Sequence, residues 1–327
     1  MTAPTMRAVV VARPGGPEVL QVRDVPVPRA APGQVLIRVH AFGLNRSELH
    51  FRRGQATSGS FPRIPGIEAT GVVADAPGGE LAPGTQVVTL MGGMGRTFDG
   101  GYAEYVVVPA AQVIAFTSDL PWDVLGAVPE MLQTAHGSLE VGVRPTAGQT
   151  LLVRGGTSSV GLALATLGRL RGLTVLSTTR SPQRRALLEQ AGVDHVLIDD
   201  GDVAAQVRDL VPDGVDGAVE LVGVNVLRDT LAAVRSGGTV CFTGMLSDQW
   251  TIPEFYPMDW LPNGVRLTAY SGGAADLPAP VLQSFLDDVA RGRARVPVGR
   301  VYRLEDIAAA HRDMEAGVVG GKGVVLL

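Results

Sequence analysis

The sequence predicts an α/β chain: a doubly wound parallel sheet domain set between two segments of a β-rich domain. Three observations predict it. From Gln149 onward, short apolar runs alternate with stretches of helical periodicity, the texture of a parallel sheet with helices on both faces. Residues 6–110 read instead as short strands separated by Pro and Gly turns. Between them, QTLLVRGGTSSVGLALATLGRLRGLTVLSTTR (149–180) reads as strand, small-residue turn, helix and second strand. That unit sets a pyrophosphate over a helix N-terminus, where free N–H groups and the helix dipole favour an anion.

Taken in order, the strand candidates of the first region are Met6–Val11, Val19–Val25, Gln34–Phe42, Thr70–Ala74, Gln86–Leu90 and Ala103–Val108. Turns such as Pro14–Pro17 and Ala31–Gly33 separate them. From Pro121 the texture turns helical. Thr150–Val153 is short, apolar and flanked by Gly, as a buried strand is. The helix after it carries Val160, Ala163, Leu164 and Leu167 at helical spacing and ends near Gly172; Leu173–Thr179 is the next strand. Strands follow at His195–Asp199, Gly217–Val222, Gly238–Thr243 and Val265–Tyr270, with helices around Asp202–Leu210 and Asn225–Val234. Helices at Ala279–Arg291 and Leu304–Ala316 and a strand at Gly323–Leu327 return to the first domain. The expected boundaries are 1–125, 126–271 and 272–327.

In the register G-x-G-x-x-G the turn reads Gly156, Ser158 and Gly161, so a serine stands where the middle glycine usually lets backbone approach phosphate. A Cβ there pushes a cofactor outward; hydroxyls on Ser158 and Ser159 can offset this by donating to phosphate oxygens. Val160 completes the turn. An NAD site usually carries Asp or Glu about 20 residues after the glycines. Here that place reads STTRSPQRR (177–185), without a carboxylate. Thr178, Thr179, Arg180 and Arg184 offer hydroxyls and positive charge suited to a 2′-phosphate, although a solvated basic turn reads the same way. NADP(H) is favoured.

With 28 Lys and Arg against 32 Asp and Glu, the formal charge of −4 makes no electrostatic case for nucleic acid or an anionic membrane. Cys241 is the only cysteine, which excludes an internal disulfide and a multi-cysteine zinc lobe; in its strand it reads as a buried core thiol. No stretch is long and apolar enough to span a bilayer, and MTAPTMRAVVVARP lacks the pattern of a signal peptide. An intracellular, cytoplasmic enzyme is the expectation.

With these pieces in place, the chain resembles the zinc-free quinone oxidoreductase branch of the medium-chain dehydrogenase/reductase superfamily. The resemblance runs over essentially the whole length. It is carried by MRAVVVARPGGPEVLQV, GQVLIRVHAFGLNRSELHFRRG (33–54), PRIPGIEATGVV (62–73), DGGYAEYVVVP (99–109), MLQTAHGSL (131–139), the Gly-rich turn and GVDGAVELVG (214–223). It implies a GroES-like catalytic domain with a Rossmann-type domain inserted, a cleft between them, and a homodimer formed through edge strands of the nucleotide domains.

Zinc-dependent relatives use Cys at or near the position of Asn45, His just before Glu68 and Cys near Glu130. This chain has Asn45, Ile67 and Glu130, and His40, His50, His136, His195 and His311 show no ligand spacing, so no metal is expected. Without a Lewis acid, the chemistry left is reduction of an already electrophilic conjugate by NADPH. The resemblance places Asn45 in the cleft, its amide either donating to the substrate carbonyl or holding its own loop. Relatives often carry tyrosine where His50 stands; His50 is then a proton donor or hydrogen bond to substrate oxygen, or a histidine remote from it. Arg52 follows the family pattern and is either functional or an ordinary surface charge.

The resemblance further sets Gln133 and Thr134 beside the nicotinamide. Val222, Gly223, Gly244 and Met245 lie at strand ends facing the cofactor. Tyr270 and Ser271 are within reach of the carboxamide. Lys322 matches a basic residue near the 2′-phosphate, or is a plain surface lysine. Asp199 stands where some relatives stack a tyrosine on adenine. Substrate loops are expected around Arg46–Ser60, Met91–Phe98 and Leu246–Leu261, the last with Trp250, Phe255, Tyr256 and Trp260 lining an apolar pocket or covering the surface. The expected activity is NADPH-dependent reduction of quinones or conjugated enones and enals. A biosynthetic enoyl reductase or tailoring enzyme for one complex enone, and a low-turnover NADPH-binding sensor, are the rival readings.

Overall fold

The computed structural model describes residues 4–56 and 58–327. In chain order the first elements are β1 (Thr5–Val11), β2 (Leu20–Pro26), β3 (Gln34–Gly43), α1 (Arg46–Arg52), β4 (Glu68–Asp75), β5 (Gln86–Leu90), β6 (Tyr105–Pro109) and β7 (Val113–Ala115). Helices α2 (Trp122–Ala127) and α3 (Pro129–Gly137) follow. Then come β8 (Thr150–Arg154), α4 (Ser159–Leu170), β9 (Thr174–Thr179), α5 (Arg185–Gln190), β10 (His195–Ile198) and α6 (Val203–Leu210). They continue as β11 (Val215–Glu220), α7 (Val224–Ala232), β12 (Val234–Phe242), α8 (Pro257–Trp260) and β13 (Arg266–Ala269). The last elements are α9 (Ala279–Ala290), β14 (Val298–Arg303), α10 (Ile307–Glu315) and β15 (Lys322–Leu326). The chain forms two units, one from residues up to Glu130 together with Gly273–Leu327, the other Met131–Gly272.

The first unit is a mostly antiparallel sheet in the order β14-β15-β3-β4-β5-β7, with β6 on β3 and the β1–β2 hairpin apart. β3 shows why it is the spine: Val35, Ile37, Val39 and Ala41 alternate into the core, the period-2 signature of a strand with one face buried. Each of the Val and Ile side chains contributes roughly 1.5–3 kcal/mol on burial. Val9, Phe42, Val87, Val106 and Val325 complete this core.

The second unit is a six-stranded parallel sheet in the order β10-β9-β8-β11-β12-β13. Its strands are apolar runs because helices cover them: Leu151, Leu152 and Val153 of β8 are all buried. The strand order reverses between β8 and β11, and in such sheets ligands bind outside the carboxyl ends at that switch point.

Several elements differ from expectation, the short helices α5 and α8 among them. Residues Arg46–Arg52 form α1 instead of a variable loop. Its start is legible afterwards: Asn45 is the N-cap, and its backbone N–H donates to Glu48 Oε2 at 3.1 Å, three residues on. β7 has only three residues, and β14, with Arg300 exposed and Tyr302 half-buried, has no apolar alternation to announce it.

Candidate active site

The turn after β8 is built from glycines that cannot be exchanged. Gly155 has φ +87°, the left-handed region. A Cβ on Gly161 would lie 2.6 Å from the Gly156 carbonyl oxygen. Gly155 N–H donates to Thr178 Oγ1 at 3.0 Å and Gly156 N–H to Thr178 O at 3.1 Å, so β9 holds the turn in place. Ser158 caps α4: its hydroxyl accepts from Gly161 N–H at 3.1 Å and donates to Gly155 O at 2.8 Å. Here the Ser158 hydroxyl is engaged inside the turn, where it caps α4. Ser159 and Val160, both half-buried, open α4, whose first N–H groups have no intrahelical partner.

The other predicted cofactor residues of this unit sit at the carboxyl ends of the same sheet. Thr178 and Thr179 are buried at the end of β9, Arg180 is exposed just beyond it and Arg184 is half-buried. Val222 and Gly223 follow β11, and both N–H groups donate to Glu220 Oε1, at 2.6 and 3.1 Å. Gly244 and Met245 follow β12, where a Cβ on Gly244 would lie 2.6 Å from Leu221 O. Tyr270 follows β13 and is buried; its hydroxyl accepts from Gln133 Nε2 at 2.7 Å, and Thr134 Oγ1 donates to Gln133 Oε1 at 3.1 Å. Ser271 is exposed.

Sequence reading missed what lies beneath these turns. Arg154, the last residue of β8, is fully buried, and its guanidinium grips Asp199 twice, at 3.0 and 2.9 Å. Nη1 of the same group donates to Asp229, to Thr230 Oγ1 at 3.2 Å and to Val226 O at 3.3 Å. Asp229 in turn accepts from Val203 and Ala204 N–H at the start of α6, and Thr230 donates to Glu220. Asp199 is therefore an ion-pair partner, not merely a lost stacking surface. Burial pushes the Glu220 carboxyl up to about 7, against the hydrogen bonds from Thr230, Gly223 and Val222.

A second buried cluster lies in the first unit. Lys322, expected near a 2′-phosphate or on the surface, is not a surface lysine. It is 1% exposed, and its Nζ lies 2.8 Å from Glu68 Oε1, 2.5 Å from Asn45 Oδ1 and 3.4 Å from Glu130 Oε2. Asn45 Nδ2 donates to Glu68 Oε1 at 2.9 Å, so its amide is committed at both ends. Glu68 Oε2 accepts from Glu130 N–H at 2.9 Å, and Glu48 Oε1 accepts from Ile67 N–H at 2.8 Å. A Cβ on Gly43 would overlap both Glu68 and the Lys322 stem. Burial raises Glu48 to about 7 and Glu68 in the same direction. Burial also pulls the Lys322 ammonium down, but Glu68 and Glu130 outweigh it and leave it raised.

His50 and Arg52 lie on α1, the helix that Asn45 caps. His50 is buried. Arg52 is no ordinary surface charge: it is buried and paired with Glu315 of α10. Nearby in the same unit, Tyr102 Oη and His311 Nε2 are 3.2 Å apart, and burial drives His311 down to about 3, so it is neutral. A cavity of about 660 Å³, lined among others by Val10, Pro28, Arg63, Phe98 and Tyr105, opens in this unit; it touches the end of the expected Met91–Phe98 substrate loop but none of the predicted catalytic or cofactor residues.

A parallel sheet in this order, with a glycine turn at its switch point, is the arrangement of dinucleotide-binding domains. Residues 31–118 match the alcohol dehydrogenase GroES-like domain family and 159–287 the zinc-binding dehydrogenase family. Quinone oxidoreductase of Rattus norvegicus is 30% identical and that of Homo sapiens 31%, each over 98% of both chains. The solved mycobacterial Rv1454c, complexed with NADPH, is 28% identical with a TM-score of 0.86, covering 98% of this chain and 100% of that one. The structure of AibC is 30% identical with a TM-score of 0.88, covering 98% and 96%. The chain belongs to the medium-chain dehydrogenase/reductase superfamily, in its quinone oxidoreductase branch, and is an oxidoreductase.

The nicotinamide cofactor that this family implies fits the second unit, through the Gly155–Gly161 turn and the first turn of α4. Zinc does not fit the first. Zinc sites take thiolate, imidazole and carboxylate ligands, but the oxygens of Asn45, Glu68 and Glu130 already converge on an ammonium. Among the described residues, no group of three or more His, Cys, Asp and Glu side chains is placed to hold a metal. Cys241, in β12, is buried and its thiol is pushed up by burial.

Proposed function

We propose that the protein is an NADPH-dependent, zinc-free reductase of quinones or α,β-unsaturated carbonyl compounds. The observation that carries the cofactor choice is the end of β9. Thr178 and Thr179 stand there with exposed Arg180 and with Arg184, residues 177–185 hold no carboxylate, and the neighbouring Asp199 is paired with Arg154. When bound, the cofactor supplies the hydride from C4 of its nicotinamide. The first turn of α4 takes the pyrophosphate. Arg180 and Arg184 pair with the 2′-phosphate, and the turns after β11 and β12 close around the ribose side. His50 or solvent delivers the proton to the reduced product. Asn45 acts by fixing the start of α1 rather than by donating to substrate, since Glu68 and Lys322 hold its amide.

The defining assay is NADPH and NADH oxidation against a panel of quinones and conjugated enones, with a chelator present. Turnover with NADPH that is indifferent to the chelator is expected. Silence across the panel with NADPH binding intact would instead support a single complex enone substrate or a sensor role. Charge-assisted hydrogen bonds contribute about 1.5–3 kcal/mol each, so Arg180→Ala should weaken NADPH roughly tenfold or more and spare NADH. Equal losses for both would remove the 2′-phosphate assignment.

The free edge of β13 is the surface through which two copies pair, as the family suggests. It is bonded to β12 alone, and Phe255, Tyr256 and Met258 are exposed on the segment before it. Sedimentation at the mass of one chain would remove this reading.

No helix of the described residues is long and apolar enough to cross a membrane.

A further inference from the structure

We propose that the Lys322 ammonium is the resident cation of the Asn45–Glu68–Glu130 cluster and that its presence is what keeps divalent metal out of it. This inference does not depend on the identity of the hydride acceptor or of the cofactor.

Three oxygens from three different segments converge on one nitrogen, at 2.5, 2.8 and 3.4 Å. An ammonium has three donors and no acceptor, so these oxygens use its full capacity. Two of the three are carboxylate oxygens and the third is an amide oxygen, a donor set that suits a hard divalent ion once a gap is left for it. The ammonium is completely buried, which an unpaired lysine does not tolerate. The backbone is built around it: Gly43, in the central strand β3, leaves the space that the Lys322 stem and Glu68 occupy, and any side chain there would overlap both.

The charge count points the same way. Glu68 and Glu130 place two carboxyl groups on one ammonium, and Glu48, 3.5 Å from the Asn45 amide nitrogen, brings a third close by. A divalent ion would neutralise two carboxylates, whereas the ammonium neutralises one and excludes the ion by repulsion and by filling the space. Removing the ammonium turns an ion-pair cluster into a vacant oxygen site of net negative charge. Lys322 is thus a positioning residue: it orients the Asn45 amide, with Oδ1 toward Nζ and Nδ2 toward Glu68, and through Asn45 the first turn of α1.

The test uses the full chain and Mn²⁺ as the probe, followed by the electron spin resonance signal of free Mn²⁺ and by thermal unfolding. Wild-type protein should leave the signal unchanged and its Tm unmoved. Lys322→Ala should take up one Mn²⁺ per chain at millimolar concentration, with a Tm rise of about 3 °C or more. Lys322→Ala with Glu68→Gln should lose that uptake. Should Lys322→Ala fail to fold, Lys322→Met with Glu68→Gln provides the neutral counterpart: recovery of the fold there, with Lys322→Met alone unfolded, supports the cation role. Propylammonium should also raise the Tm of Lys322→Ala, and neutral butanol should not. Stoichiometric Mn²⁺ uptake by wild type overturns the inference. So does a folded Lys322→Ala indifferent to both Mn²⁺ and propylammonium, or equal instability of the single Met and double variants.

Discussion

In the first unit, Lys322 draws Asn45, Glu68 and Glu130 onto one nitrogen; in the second, Arg154 reaches outward to Asp199, Asp229, Thr230 and the Val226 carbonyl. Both cations are fully buried and both answer carboxylates. The difference is in shape. An ammonium is a point charge that can only gather ligands around itself, whereas a guanidinium is a rigid fork whose donors face in different directions. The lysine therefore makes a compact centre, and the arginine makes a brace joining the end of β8 to the loop after β10, the start of α6 and helix α7. One gathers its neighbours to a point, while the other ties segments together.

This contrast predicts its largest effect at Arg154. Lysine cannot reach Asp199 and Asp229 together, so Arg154→Lys should cost nearly as much as Arg154→Met. Breaking a buried pair from one side costs on the order of 3–5 kcal/mol. Denaturant unfolding of the two variants checks this, and a lysine variant as stable as wild type would make the fork dispensable.

A smaller effect follows from Glu220, which sits at the end of the brace. Its folded pKa of about 7 exceeds the ordinary 4.5, so the folded state holds the proton more tightly than the unfolded chain does. The contribution is full below about pH 4.5 and is lost as pH rises through 7, by on the order of 3 kcal/mol. Glu220→Gln keeps an acceptor for Val222 and Gly223 N–H and removes the titration. Its Tm relative to wild type should therefore be higher at pH 8 than at pH 4; a difference independent of pH would contradict the shift. The smallest effect belongs to the helix cap. Ser158→Ala should cost about 1 kcal/mol, read as a small fall in unfolding midpoint, and the Lys322 cluster should not register it.

The same contrast explains what could be read from the sequence. Strand β8, its turn and helix α4 are contiguous, and their apolar run, glycines and helical spacing are local signals; Thr150–Val153 is found within a residue of its observed end. The parallel sheet likewise follows from the alternation of strands and helices, although its strand order does not. The two cation clusters were not legible because their members are far apart in the chain. Lys322 is 277 positions from Asn45, and Arg154 is 45 and 75 from Asp199 and Asp229. A lysine among glycines reads as a surface charge until β15 is seen between β14 and β3. Helix α1 is a different kind of miss. The signal, Asn45 with Glu48 three residues on, was present, but it heads a helix of only seven residues with no long apolar period.

The place of β15 has a consequence for synthesis on the ribosome. This strand lies inside the sheet of the first unit, between β14 and β3, yet it is made after the whole of Met131–Gly272. Until it emerges, β3 has an open edge where β15 belongs, and Glu48 and Glu68 wait without their lysine. The second unit is one continuous stretch with every strand of its sheet already made, so it can close first. The nascent chain thus completes its nucleotide-binding half while the other half still exposes an unpaired strand edge, and that interval is when it most needs protection from pairing with a neighbour.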